Sequence, residues 1–404
     1  MVGFILILAM GYQNPKPKIG GAMERIKKLV IFWVVGVCCL FSCAAFAAEF
    51  PIGAFLPMTG SGAYIGQAMS RGALTAVDQV NESGGVEGYK FKLIITDFKN
   101  VDVNLAVSGV RKMISIDKIP AVLAAYSPTT LACQPICEKA NVVMLNGGAY
   151  SPKLVNKPYL HTIRLAQHQM VPPMLEFLWK RGVRKLAAIY VSDPSGIIPV
   201  KDYIGPMWSK MGGTIIADEP HQSGITEFSA YLARIKAGNP DVIVSYTTGE
   251  SLAYLVKQAR EMGMTCPIVL SDWMPDYQTI TGKTSENVYN CSEFFDATSP
   301  DPITQRFVKG FEAKWKEQTD FFSANYYDAV YHILSELIKR VVSKGGNPLN
   351  GAELEQAIWT NPVFKTVYGG QMRLMKDGSV SKPMVILKIV DGKLTVAEKM
   401  AVDK

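Results

Sequence analysis

Short apolar runs recur along the chain at 51–56, 91–96, 121–125, 142–145, 186–191, 214–217, 242–246 and 268–270. Between them lie stretches whose apolar positions fall three and four residues apart, at 68–80, 105–116, 131–140, 174–181, 228–235 and 252–262. The first set predicts strands and the second helices. Runs that are apolar throughout belong to strands covered on both faces, and strands separated by helices build parallel sheets. The pattern therefore predicts an α/β chain with doubly wound sheets. Gly84-Gly85 closes the first helix, and Gly238-Asn239-Pro240-Asp241 turns the chain before the strand at 242. The rhythm changes near the end. Helices are predicted at 323–342 and 352–359, then antiparallel strands at 370–374 and 385–390 added to a sheet edge around the turn Asp377-Gly378.

Ahead of the first strand, a basic stretch at 24–28 leads into an apolar run at 29–40 and small residues ending Ala45-Phe46-Ala47. This is the layout of a secretory signal peptide over 23–47, cleaved after Ala47. The apolar run is short for a hydrocarbon core of about 30 Å. Leu40-Phe41-Ser42-Cys43 also resembles a lipoprotein box, with Phe41 bulky for it, so a lipid anchor at Cys43 is the alternative. Residues 1–22 precede the better start at Met23 and read as an upstream start taken too early.

Length and composition sharpen this picture. A chain of 404 residues with 48% hydrophobic and 19% charged positions is too apolar for disorder and long enough for two domains. No low-complexity linker divides it, which implies a chain that crosses between domains more than once. Four of the seven surplus positive charges fall in 1–47, so the remainder has no nucleic-acid footprint. Export leaves Cys133, Cys137, Cys266 and Cys291 in an oxidising compartment. Cys266 and Cys291 flank neighbouring strands and are placed to bridge; Cys133 and Cys137, one helical turn apart, suit packing better than a disulfide. No CxxC or paired histidines accompany them, so no metal is expected.

In open α/β sheets ligands bind beyond the carboxyl ends of the strands. The loop Pro57-Met58-Thr59-Gly60-Ser61-Gly62-Ala63-Tyr64-Ile65-Gly66 is glycine-rich, but its spacing fails both phosphate templates, and Gly282-Lys283-Thr284 has Tyr277 where a P-loop needs glycine. Tyr126-Ser127-Pro128-Thr129-Thr130 ends a strand and opens a helix, where its hydroxyls either hold a carboxylate or cap the helix. Asn146-Gly147-Gly148-Ala149-Tyr150-Ser151 lets backbone approach a ligand. Asp272, directly after an apolar strand and beside Trp273, either pairs with a ligand ammonium or faces water. Four histidines, none in HExxH, and no GxSxG elbow argue against an enzyme, and nothing calls for a cofactor.

Several marks in order carry a resemblance: Pro57-Met58-Thr59-Gly60-Ser61-Gly62 with Tyr64-Ile65-Gly66-Gln67 and Arg71-Gly72-Ala73; Val80-Asn81 with Gly84-Gly85-Val86-Glu87-Gly88; Asn146-Gly147-Gly148-Ala149; and Gln258-Ala259-Arg260-Glu261-Met262-Gly263. Over nearly all of 49–398 the chain resembles the periplasmic branched-chain (leucine/isoleucine/valine) amino-acid binding proteins of ATP-driven importers, with the type I periplasmic binding fold. The resemblance implies two lobes joined by three crossovers, near Ile163-Arg164, Phe294-Phe295 and Lys365-Thr366. Lobe 1 would be 48–164 plus 296–365, lobe 2 165–295 plus 366–398, and 399–404 a tail. It implies a monomeric periplasmic receptor that binds a small molecule between the lobes unchanged and delivers it to membrane permease subunits. Ser127 and Thr129 match the family's carboxylate-binding loop, Ala149 and Ser151 its backbone and side-chain contacts, Asp272 its acid for the ammonium, and Tyr64 lies one residue from its aromatic wall. The chain departs at Ser195, where a tyrosine is common, around Thr248 and Gly249, where an aromatic is lost, and in lacking the first-lobe disulfide. Those smaller residues leave room for an aliphatic or larger side chain, with an aromatic acid or amide, or a sensing role, as alternatives.

Overall fold

The computed structural model describes residues 47–400 except Ser61, Asn100, Val101, Pro275 and Phe294. The leader at 23–46 and the crossover residue Phe294 lie outside the described residues.

The described residues from Ala48 onward form one compact unit built on two main sheets. Strands β1 (Ala48–Leu56), β2 (Tyr89–Asp97), β3 (Ala121–Ala124), β4 (Val143–Asn146) and β5 (Leu160–Thr162) pair in parallel in the order β2-β1-β3-β4-β5. β1 is buried from Phe50 onward on both faces, which is why its sequence reads as an unbroken apolar run. The next five strands, β6 (Lys185–Val191), β7 (Thr214–His221), β8 (Val242–Tyr246), β9 (Ile268–Leu270) and β10 (Val288–Glu293), form a second parallel sheet in the order β10-β9-β8-β6-β7. Three short strands, β11 (Val363–Lys365), β12 (Gln371–Leu374) and β13 (Val380–Ser381), make a small antiparallel sheet of their own. β14 (Met384–Val390) then joins the second sheet antiparallel to β10, and β15 (Lys393–Met400) adds antiparallel to β14. The result is α/β with two doubly wound parallel-sheet lobes and the type I periplasmic binding topology.

The chain passes from the first sheet to the second after β5, through the helix Gln167–Lys180. It returns after β10, and the helices Pro302–Trp315 and Phe321–Tyr327 pack on the helix Ala63–Glu82 of the first lobe. Gly72 permits that approach, since a Cβ there would stand 2.1 Å from the Ser323 carbonyl oxygen. The third passage lies between Ser381 and Met384 rather than near Lys365-Thr366. The turn at Asp377-Gly378 folds back onto the first sheet, where Gly378 O accepts from Thr162 N and Asp377 O from Asn156 N, both at 2.6 Å. Strand 371–374 accordingly belongs to the small sheet and not to an edge of the second. Gly378 has φ +83°, and a Cβ there would meet Leu160 O at 2.5 Å, so the close docking requires glycine.

Where the passages run side by side, one buried carboxylate joins them. Glu293, at the end of β10, accepts from Leu165 N on the first passage (2.5 Å) and pairs with Lys382 Nζ on the third (2.9 Å). Asn325 Nδ2 (2.9 Å) and the Tyr368 hydroxyl (3.0 Å) complete its shell. Both charged side chains are 1% exposed, so each depends on the other.

The expected helix at 323–342 begins earlier, at Phe321, capped by Asp320, and winds as π-helix over Asp328–Leu334. Buried Asp328 on that segment accepts from Thr366 Oγ1 and Val367 N. Burial lifts its carboxyl from the ordinary 3.8 to about 7 against those donors. A raised carboxyl contributes stability that is complete below about pH 4 and is lost as pH rises through about 7. Asp328→Asn is therefore expected to flatten the fall in unfolding free energy between these limits relative to wild type, read by urea titration. Parallel slopes would show that Asp328 does not titrate there.

All four described cysteines are free, so the Cys266–Cys291 bridge is not formed. Among the described residues, no helix is long and apolar enough to cross a membrane and no group of side chains is placed to hold a metal ion.

Candidate functional site

The loops that leave the carboxyl ends of strands in both sheets converge on one cavity. From the first lobe come Ile65 and Met69 on the helix Ala63–Glu82, Tyr126 and Ser127 after β3, Gly148 to Tyr150 after β4, Arg164 after β5, and Phe322. From the second sheet come Ser195 after β6, Thr248 after β8 and Asp272 after β9. These walls enclose about 20 Å3, the room of a single water molecule. Wider grooves of about 730 and 540 Å3 open beside the small sheet and under the amino ends of the second sheet. The convergent cavity is the candidate because it lies where both sheets end and gathers opposed buried charges.

Those charges are Arg164 and Asp272, which form a direct ion pair at 3% and 5% exposure. Arg164 also donates to Gly148 O (2.5 Å), and its guanidinium lies 4.3 Å from the Tyr150 ring centre and 5.0 Å from that of Phe322. Burial pushes the Asp272 carboxyl up, and Arg164 opposes the shift. Burial works against the Arg164 charge, but Asp272, Tyr150 and Glu293 around it hold the guanidinium protonated. Tyr126, which caps the helix Ser127–Lys139, has φ +61° and ψ 137°, a conformation costly for a side-chain-bearing residue and one that gathers at ligand sites. The Tyr150 hydroxyl, near Ser271, is buried without a hydrogen bond of ordinary geometry. Such an atom is satisfied by a polar group entering the cavity.

Of the residues singled out in the sequence, Ser127, Ala149, Ser195, Thr248 and Asp272 line the cavity, and Tyr64, Thr129 and Ser151 do not. Thr129 Oγ1 turns back to Ala125 O (2.5 Å) and Tyr126 O (3.1 Å) within its own helical turn. The Ala149 N–H donates to Asn146 Oδ1 at 2.7 Å, and Ser151 Oγ accepts from Lys153 N at the start of a short 3-10 turn. Ser195 Oγ donates to Asp193 Oδ1 (2.5 Å), which caps its helix. The neutral donor set expected for a carboxylate is thus largely spent inside the protein. Tyr64 packs 6.5 Å from Tyr277 outside the cavity, and Tyr126 supplies the aromatic wall in its place. The largest omission was Arg164: its only sequence signal is an arginine between Ile163 and Leu165, just beyond the short strand Leu160–Thr162.

Comparison with known proteins sets this geometry in context. A family model described as periplasmic binding protein matches residues 49–393. The Leu/Ile/Val-binding protein homolog 7 of Brucella abortus is 22% identical over 332 residues, covering 77% of this chain and 81% of that protein. The substrate-binding protein LivJ of a branched-chain amino acid transporter from Streptococcus pneumoniae, solved with isoleucine, superposes with a TM-score of 0.78 at 24% identity, over 87% of this chain and 99% of that one. A solute-binding protein of an ABC transporter from Rhodopseudomonas palustris, solved with 3,4-dihydroxybenzoic acid, gives 0.78 at 19% identity, over 88% and 98%.

Proposed function

This chain belongs to the periplasmic binding protein family, and from that premise we propose that it is the extracytoplasmic receptor of an ABC importer for an α-amino acid with an aliphatic or larger side chain. The single observation behind this reading is the opposed buried pair Arg164 and Asp272 facing each other in the cavity. A zwitterion inserted between them gives its carboxylate to Arg164 and its ammonium to Asp272, so every buried charge keeps a partner. Arg164 thereby replaces the hydroxyl loop as the carboxylate's main partner. The walls must part to admit the ligand, since the cavity as it stands has room for a single water molecule, and Ile65, Met69, Tyr126 and Phe322 then receive the side chain. The ligand is released unchanged to permease subunits. Relatives named for leucine, isoleucine and valine, and the isoleucine complex of LivJ, support the same chemistry.

A second reading, an aromatic acid, is favoured by Tyr126, Tyr150 and Phe322 in the wall and by the unpaired Tyr150 hydroxyl. A monoanion leaves one buried negative charge in excess, which Asp272 relieves by taking a proton. Titration calorimetry of leucine, isoleucine, valine and phenylalanine against benzoate and 4-hydroxybenzoate, in buffers of different ionisation enthalpy, separates the readings. Amino acids are expected to bind without proton uptake. Binding confined to the aromatic acids, with a proton taken up, overturns the amino-acid assignment.

A further inference from the structure

On the outer side of the first lobe, a groove of about 390 Å3 lies between the helix Pro302–Trp315, the π-wound segment Asp328–Leu334 with the helix that follows, and strands β11 and β12. Its cations outnumber its acids. Arg306, Lys339, Arg340 and Lys365 line it against Glu336 alone. Glu336 is already paired with Arg340 Nε at 3.0 Å, and the remaining Arg340 donors close on the carbonyls of Ala357, Asn361 and Val363. Among the described residues, Arg306 donates only to the Tyr331 hydroxyl, which leaves most of its fork open, and the Lys339 and Lys365 ammonium groups make no ion pair. Three uncompensated positive charges therefore share one concavity.

At its inner wall stands His332. Its side chain is 9% exposed, and Nε2 has no hydrogen-bond partner; the nearest acid, Asp328 Oδ1, is 3.8 Å away and occupied by Val367 N. Nε2 therefore faces that buried carboxylate, and what the groove itself presents is three unmatched cations around one imidazole ring, a surround that attracts an anion. We propose that this groove binds a phosphate-type oxyanion, held by Arg306, Lys339 and Lys365 on its rim, with the His332 ring in the wall between them. Tetrahedral oxyanions suit the arrangement because Arg306 offers a fork and the lysines offer point charges from other directions. The site is separate from the solute cavity, with which it shares no lining residue.

The groups facing His332 give the test its readout. Burial first, then Lys365 and Arg306, together lower its pKa from 6.5 to about 4 against the opposing Asp301. A bound oxyanion cancels those cations and raises it. In the intact mature protein, inorganic phosphate titrated at constant ionic strength is expected to shift the His332 ring resonance saturably and to move its titration midpoint upward. Lys339→Gln and Lys365→Gln, both at exposed positions, are each expected to weaken that saturation by about tenfold while leaving solute binding unchanged. Vesicles of phosphatidylglycerol against phosphatidylcholine form the second arm. A response to phosphate identifies a free anion, and a response to phosphatidylglycerol vesicles alone identifies a lipid phosphate. A linear drift that chloride reproduces, with no vesicle response, overturns the proposal.

Discussion

Asp272→Asn is expected to weaken the binding of an amino acid by roughly 2 to 5 kcal/mol, the scale for truncating one partner of a buried charge pair. The cause is local. Asp272 is the carboxylate of the cavity wall, and an asparagine there offers the ammonium a dipole in place of a charge. For an amine-free aromatic acid the sign reverses, because the variant removes a buried negative charge that the ligand would otherwise confront. The same substitution therefore discriminates the two ligand classes by direction as well as size. Arg164→Met weakens both classes, since either carboxylate loses its guanidinium. Each single change also leaves its former partner buried and uncompensated, so stability is measured alongside by urea unfolding. The double variant Arg164→Met, Asp272→Leu recovers stability without recovering binding. Unaltered amino-acid affinity in Asp272→Asn would remove the carboxylate from the site.

Glu293→Ala is expected to lose about 3 to 5 kcal/mol of unfolding free energy, the cost of stranding a buried charge. Lys382 Nζ would keep only Asn325 Oδ1 (2.6 Å) and the Tyr368 ring beneath it, 4.0 Å from the ring centre. Burial already lowers the Lys382 pKa, and Glu293 is the chief counterweight. Losing it favours a neutral amine and leaves Leu165 N without its acceptor. Glu293→Leu with Lys382→Met, which removes both charges together, is expected to recover most of the loss. If Glu293→Ala unfolds at the wild-type urea midpoint, the pair does not hold the passages together.

Much of the fold was legible because parallel strands buried on both faces, such as 51–56 and 242–246, announce themselves as apolar runs without help from distant partners. The third passage was misread for the opposite reason. Asp377-Gly378 signals a turn, but which sheet the hairpin joins is decided by Thr162 and Asn156, more than two hundred residues earlier in the chain. Within the cavity, Asp272 was legible since a carboxylate two residues beyond a buried strand lies at the mouth of the sheet. Arg164 was not, because its meaning depends on a partner 108 residues away. Hydroxyl-rich segments identify themselves, but the direction a hydroxyl turns does not; Thr129 faces its own backbone, and Ser127, two residues earlier, lines the cavity.

The buried junction at Glu293 also restricts how the molecule moves. Three connecting strands tethered separately would let the two halves slide, twist and rock independently. With Leu165 and Lys382 both fastened to the one carboxylate that ends β10, sliding would pull those fastenings in different directions together, whereas rotation about the junction changes none of their lengths. Such a fastening favours a single-axis joint over a sliding one. A hinge opening about it would change angle and not path, and would return the walls that carry Arg164 and Asp272 to the same register on closing.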